Sequence, residues 1–364
     1  MYLGLFLKGK SQIYQNVRFA LRKNFNFNVW AALVGHIFLT NYLRSNHMNV
    51  FDIPQEVLRT PDPQFLRSPE VPAAKPRTSG IEFTFSDQLR VYYQPEQRAM
   101  WSRWNPSPRP CFNAKLLADI RTYHEFLSNS GGRIACMGTQ RPFDYVVLAS
   151  DRPGVFNLGG DLDLFKKLIG ERNRTELLRY GRECIDVLYS NYTSFDLPVT
   201  TVSLVQGDAL GGGFEAALSG DLIIAEKSAR FGFPEILFNL FPGMGAYSFL
   251  ERKIGQRGAE EIISSGQIYS ADQMREKGVI DEVVEDGQGE AGVAALIERR
   301  KRSQNGFAAL AQARRRVHRV QFPELLDIVE IWVDSALRLN VRDLKLMQRL
   351  VSRQNGLGES QQVH

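Results

Sequence analysis

The apolar pattern changes period twice between Val199 and Glu235. Residues 199–205 are rich in β-branched side chains, which predicts a buried strand. Gln206, Gly207 and Asp208 break that run, and Gly211-Gly212-Gly213 opens the next element. Residues 214–218 predict a short helix. Residues 222–225 predict a second strand, leading through a turn to Phe231-Gly232-Phe233-Pro234-Glu235. Two carboxylates stand out: Glu215 in an apolar helical turn and Glu235 after Pro234. Glycines ahead of a helix let a ligand approach the backbone, and first-turn amides point outward at the positive end of the helix dipole. Such a place suits a developing oxyanion.

The same reading extends along the chain. Residues 82–85 and 89–93 alternate like the strands of a hairpin, Trp101 and Trp104 fall in a Pro-rich loop, and residues 111–127 look helical. Residues 145–150 read as a buried strand ahead of 156–162, and residues 185–192 continue a helix that precedes Pro198. After Pro242-Gly243-Met244-Gly245 a helix runs to Ile254, another starts near Ala259, and Ser270 caps one that ends at Gly278. Strands alternating with helices at this spacing predict an α/β fold. Residues 291–353 are mostly helical, and from Pro323 onward Leu325, Ile328, Val329, Trp332, Val333, Ala336 and Leu337 form one apolar stripe. That stripe reads as core or subunit interface, with Trp332 near a pocket. Asp161 and Asp221 read as cap or turn residues rather than catalysts. Four stretches result: 1–47, a Pro-rich arm at 48–80, a core at 81–290 and a helical region at 291–364.

Charge changes the picture only by removal. The chain has 364 residues, 45 basic and 40 acidic, a net charge of +5. Residues 1–47 hold Lys8, Lys10, Arg18, Arg22, Lys23 and Arg44 and no acid, so the remainder carries 39 basic against 40 acidic side chains. Near-neutral charge gives no reason to expect a nucleic-acid partner. The run 299–302 and Arg314-Arg315-Arg316 with Arg319 reads as a solvated helix face or a dock for an acidic partner. The apolar run 29–39 falls well short of the roughly 20 residues that span a bilayer, so no stable membrane insertion is expected. Three readings of 1–47 stand open: a membrane-surface helix, an organelle presequence, or an extension upstream of a natural start at Met48. Cys111, Cys136 and Cys184 are scattered and odd in number, which fits a reducing cytoplasm better than a disulfide framework. Neither they nor the five histidines make a metal-ligand spacing, and no metal is expected.

Four blocks, FNLGGDLDLF, PVTTVSLVQGDALGGGFEAAL, ARFGFPEILFNLFPGMG and SGQIYSADQMREKGVIDEVV, resemble the crotonase (enoyl-CoA hydratase/isomerase) superfamily in order and spacing over 81–284. FNLGGDLDLF, the preceding Arg-Pro-Gly and the ARRRVHRV and DIVEIWVDSAL segments are most similar to the diffusible-signal-factor synthases, which make cis-2-unsaturated fatty acid signals. The resemblance implies a crotonase-like ββα spiral with a C-terminal α-helical trimerisation region, hence a homotrimer or dimer of trimers. It implies Gly160 and Gly212 as oxyanion-hole amides and Glu215 and Glu235 as the acid/base pair. It maps an acyl pocket to Leu158, Gly159, Leu210, Gly211, Gly243, Met244, Trp332 and Leu350. Gly243-Met244-Gly245-Ala246 departs from the hydratases' G-A-G-G.

The implied chemistry needs no cofactor beyond the thioester carrier, acyl carrier protein or CoA. A thioester carbonyl acidifies its α-carbon, and two amides aimed at its oxygen stabilise the enolate, each worth about 3 kcal/mol. Loss of a 3-hydroxyl then needs a base at C2 and an acid for the departing water, roles that a carboxylate pair divides when its pKa values split. The expected activity is dehydration of a 3-hydroxyacyl thioester to a cis-2-enoyl chain, followed by thioester hydrolysis that frees a quorum-sensing fatty acid. The alternatives are an enoyl-CoA hydratase of fatty-acid oxidation, or a catalytically weak protein that binds a sensor kinase. Which glutamate is acid and which is base stays open at this point.

Overall fold

The computed structural model describes residues 81–136 and 138–349. The stretches 1–47 and 48–80, and Leu350, lie outside the described residues. The elements run β1 (Ile81–Thr84), β2 (Leu89–Gln94), β3 (Ala99–Trp104), α1 (Ala114–Asn129), β4 (Arg133–Cys136), β5 (Thr139–Pro142), β6 (Tyr145–Ser150) and β7 (Val155–Asn157). Then come α2 (Leu162–Gly170), α3 (Arg174–Tyr192), β8 (Thr200–Val205), β9 (Asp208–Leu210), α4 (Gly212–Leu218), β10 (Leu222–Glu226) and β11 (Arg230–Gly232). The last are α5 (Ala246–Ser265), β12 (Ile268–Ser270), α6 (Ala271–Glu276), β13 (Glu282–Val284), α7 (Gly289–Arg300), α8 (Gln304–Val317) and α9 (Phe322–Ala336).

Apart from β4 and β5, which pair only with each other, the strands divide between two sheets, and this makes the spiral. The larger sheet has the order β1-β2-β3-β6-β8-β10-β13 and the smaller β12-β11-β9-β7. In the large sheet β1, β2 and β3 pair antiparallel, while β3, β6, β8, β10 and β13 run parallel. Each of β6, β8 and β10 belongs to the large sheet and is followed directly by a short strand of the small one, β7, β9 and β11. This is an α/β fold of repeated ββα turns, closed by C-terminal helices. Parallel strands covered on both faces lack polar/apolar alternation, and β8 and β10 are each buried at every position, Thr200, Thr201, Ser203 and Glu226 included.

The tryptophan expectation is overturned. Trp101 and Trp104 lie in β3, not in a loop, and every residue of β3 is buried. A strand buried on both faces has no alternation to betray it, and the prolines on either side give it the outline of a loop. Its polar residues are matched internally: Ser102 Oγ donates to the Val147 carbonyl at 3.3 Å, and Arg103 pairs with Asp151 at 2.6 Å. Trp104 Nε1 donates to the Phe156 carbonyl at 2.6 Å, tying the large sheet to the small one.

Helix boundaries follow local chemistry. Asn113 caps α1 through Leu116 N, Asp161 caps α2 through Leu164 N, and Ser270 and Gln273 form a reciprocal capping box on α6. The two helices expected after Gly245 are both present within α5, where Gly255 has non-helical φ 77° and ψ 164° and separates them. The apolar stripe of α9 is core: Leu325, Val329, Trp332, Val333 and Ala336 are buried, and Val329 packs against Gly181 of α3. Among the described residues, no helix is long and apolar enough to cross a membrane.

The basic run corrects an expectation in part. Arg315 is not on a solvated face, and both Arg314 and Arg315 pair with Asp221, at 2.8 and 2.7 Å, Arg314 keeping an exposed side chain. Asp221, at the turn into β10, also accepts hydrogen bonds from Thr201 N and Ser194 Oγ.

Candidate active site

The site forms where the two ββ turns meet. After β7 the chain turns through Leu158 and Gly159 to Gly160; β9 ends at Leu210, and the chain turns through Gly211 into α4. Gly159 has φ 90° and Gly211 φ 52°, a region in which side chains are strained. The turns touch: a Cβ on Gly159 would lie 2.8 Å from Gly212 N, and one on Gly212 would lie 3.5 Å from Gly160 N. The two expected amide donors, Gly160 and Gly212, are therefore neighbours. A side chain at Gly159 would collide with the facing turn.

Several contacts hold the Gly160 turn. Phe112 pairs with Gly160 in an isolated parallel bridge, and its N–H donates to the Gly159 carbonyl at 2.8 Å. The Tyr180 hydroxyl donates to the Phe112 carbonyl at 2.6 Å and accepts from Asp161 N at 3.3 Å. Arg109 pairs with Asp161 at 2.9 Å and with Asp163. Asp161 is thus a cap and an anchor, in keeping with its sequence reading. Leu158 N donates to the Pro110 carbonyl.

Glu215 is 1% exposed, so it is no solvated helix residue. Its Oε1 accepts from Met244 N at 2.8 Å and Ala246 N at 3.0 Å, in the turn that starts α5. Burial raises its pKa to about 7, against the pull of those two amides. Glu235 sits in a single 3₁₀ turn, Pro234–Phe238, with Oε1 against Gly211. Its Oε2 is buried without a hydrogen-bond partner. Burial raises its pKa to about 8, and the nearby charge of Glu215 adds to the effect.

Gly243, Met244 and Trp332 also come together. A Cβ on Gly243 would strike the Trp332 indole, and Met244 is buried beside it. Trp332 stacks edge-on against Phe165, with centroids 5.0 Å apart, and the Phe165 ring stands 2.6 Å from where a Cβ on Gly160 would be. Phe165 therefore bridges the Gly160 turn and α9. Sequence reasoning missed it, and only its place in the first turn of a helix after Gly-Gly-Asp hints at the role. Asn157 was missed as well; Asn two residues ahead of a glycine is an Asx-turn signal.

The model of the enoyl-CoA hydratase/isomerase family matches residues 135–328. The chain belongs to that family. Within it, the chain is similar to the fatty acid oxidation complex subunit alpha of Pseudomonas savastanoi pv. phaseolicola, 35% identical over 153 residues. The subunit of the same name from Pseudomonas syringae pv. tomato is 38% identical over 153 residues. Each match covers 42% of this chain and 21% of the relative, so the chain spans about a fifth of those proteins' length. Among solved structures, human mitochondrial delta3-delta2-enoyl-CoA isomerase has a TM-score of 0.61 at 20% identity, covering 76% of this chain and 100% of that one. Pseudomonas aeruginosa DspI has a TM-score of 0.52 at 22% identity, covering 66% and 93%. These structures share the fold.

Proposed function

We propose that the chain dehydrates a 3-hydroxyacyl thioester to a 2-enoyl thioester and then hydrolyses the thioester, releasing a free 2-unsaturated, cis-configured fatty acid signal. The observation that carries the reading is the pair of buried Glu215 and half-buried Glu235, whose Oε2 is enclosed, beside the adjoining glycine amides at 160 and 212. A single carboxylate would suit a proton shift within one substrate; a pair suits addition or removal of water, which moves two protons.

The pair shares one proton. Two amides on Glu215 Oε1 favour its charged form, and the unpartnered Oε2 of Glu235 favours the acid, so the resting proton sits on Glu235. Dehydration starts from the other tautomer. Glu235 as carboxylate takes the C2 proton, the carbonyl oxygen gathers charge toward the Gly160 and Gly212 amides, and Glu215 gives its proton to the departing hydroxyl as water. The similar upward shifts of the two carboxyls keep both tautomers accessible. Water then adds to the thioester carbonyl, and the carrier thiol leaves with a proton.

The carrier in this reading is acyl carrier protein in the cytoplasm, the C-terminal helices build a homotrimer or dimer of trimers, and no metal or cofactor takes part. The similarity of FNLGGDLDLF to the signal synthases supports the hydrolytic step. The curated relatives' name, fatty acid oxidation complex subunit alpha, supports a second reading, reversible hydration of 2-enoyl-CoA with the thioester left intact. Incubating the protein with 3-hydroxyacyl carrier protein and with 3-hydroxyacyl-CoA, and weighing the products by mass spectrometry, separates them. Free 2-enoic acid supports the first reading; an accumulating 2-enoyl-CoA with no free acid establishes the second. If neither forms, a binding role toward a sensor kinase stands, and Glu215→Gln and Glu235→Gln variants would then dock as the native chain does.

A further inference from the structure

Asn157 ends β7 with no exposed surface, three residues ahead of Gly160. Its side chain makes a local turn, with Oδ1 accepting from Gly159 N at 2.8 Å. Its amide donor Nδ2 is buried and has no partner. An asparagine that leaves a buried donor unmatched is costly beside an apolar residue of the same size. The acceptor on the same side chain is the part the fold uses.

The backbone of Asn157 reaches the other turn. A Cβ on Gly213 would fall on the Asn157 carbonyl oxygen and lie 3.0 Å from its Cβ. Asn157 thus meets both sides of the gap between Gly160 and Gly212, with its side chain on the first turn and its carbonyl seating α4. The register shift between Val155 and Asn157 in the β7–β9 pairing lies at the same place. A bulge re-aims the chain, and here the chain it re-aims is the one leading to Gly160.

We infer that Asn157 is a positioning residue for the two-amide site. Its Oδ1 holds Gly159 at a positive φ so that Gly160 N and Gly212 N face one oxygen. The inference deepens the proposed thioester chemistry and rests on it; the hydrogen-bond arm of the test does not. Because Asn157 has no exposed surface, its loss is expected to misaim a donor rather than remove a binding contact.

Three variants test it. Asn157→Ala and the near-isosteric Asn157→Leu remove the acceptor; Asn157→Ser keeps one, since serine makes the same turn more weakly. The expected result is a fall in kcat of about 10- to 100-fold for the Ala and Leu variants at nearly constant KM, less than outright loss of an oxyanion donor. Asn157→Ser recovers most of that fall. Hydrogen exchange at the Gly159 amide, read by NMR, accelerates in Ala and Leu and stays slow in Ser. Equal damage in all three would assign Asn157 to packing and overturn the inference, as would unchanged kcat and unchanged Gly159 exchange in the Ala and Leu variants. If Asn157→Ala does not fold, the Leu and Ser pair decides alone. A native protein that turns over no thioester defeats the proposed function, while the exchange rates still show whether Asn157 holds the Gly159 turn.

Discussion

Oε1 of Glu235 lies 2.5 Å from the point where a Cβ on Gly211 would stand. The glycine at the head of the Gly212–Leu218 helix is therefore the floor on which this carboxyl rests. Gly211 has φ 52°, so a side chain there is strained even with room to spare. Gly211→Ala is expected to displace the Glu235 carboxyl from its seat against Gly211 and to lose about 1–3 kcal/mol of stability from backbone strain. Turnover falls by more than the unfolded fraction accounts for. Thermal melts and kinetics on the same preparation check this, and full specific activity in the folded variant contradicts it.

Neutralising either carboxyl tests the pair directly. Glu215→Gln and Glu235→Gln each remove a proton carrier, an effect of about 10²–10⁴ on kcat. The glutamines are near in size, so KM for a 2-enoyl or 3-hydroxyacyl thioester is expected to move little. The double variant is expected to be little worse than either single one, because the two carboxyls act on one reaction as a unit. Steady-state kinetics of the three variants read this, and additive losses would show independent roles.

The same carboxyls make stability depend on pH. Burial raises both above the usual 4.5, to about 7 for Glu215 and about 8 for Glu235. The folded state therefore holds more protons than the unfolded chain between about pH 4.5 and pH 8, and by linkage stability falls as pH rises through that window. Below it the carboxyls are neutral in both states and the contribution is intact. Glu235→Gln stays neutral throughout, so it is expected to match the native chain near pH 5 and exceed it at pH 8. Solvent reaching part of Glu235 keeps the gain to about 1–3 kcal/mol. Urea unfolding at the two pH values measures it, and a native chain as stable at pH 8 as the glutamine variant rules it out.

Legibility in the sequence followed the range of the interactions. The carboxylates and the glycine turns were readable because tight turns and a helix start leave local marks at 159–160 and 211–213. The buried strands β8 and β10 were readable as runs rich in β-branched and apolar residues between turn residues, but β3 was not, because its tryptophans sit between prolines and its Arg103 is neutralised by Asp151, 48 residues away. The Trp332–Phe165 contact spans α9 and α2, and nothing local to either residue records it. Asn157 was hidden for another reason: its Asx turn looks like an ordinary loop until Gly213 is seen against its carbonyl. The four family-like blocks, rather than spacing alone, singled out the candidate acid/base pair, while the walls and supports came from pairings that only the folded chain makes.

The pairing of Arg314 and Arg315 with Asp221 is uneven, and the unevenness is measurable. The Asp221 side chain is 3% exposed, whereas Arg314 is 41% and Arg315 14% exposed. Removing both cations leaves a buried anion with only Thr201 N and Ser194 Oγ to solvate it. Removing the anion leaves two guanidiniums, one of them well placed to turn into water. A buried charge stripped of its partners costs about 3–5 kcal/mol. The double variant Arg314→Met and Arg315→Met is thus expected to lose about that much, and Asp221→Asn distinctly less, because its amide oxygen still accepts from Thr201 N. Placing the double methionine in the Asp221→Asn background should restore much of the loss, since no unpaired charge then remains. Denaturant midpoints for the four proteins, compared at equal m-value, form the cycle. If the double methionine variant is as stable as the native chain, the arginines are a solvated face after all, and α8 is held to the core by Ala311 and its neighbours instead.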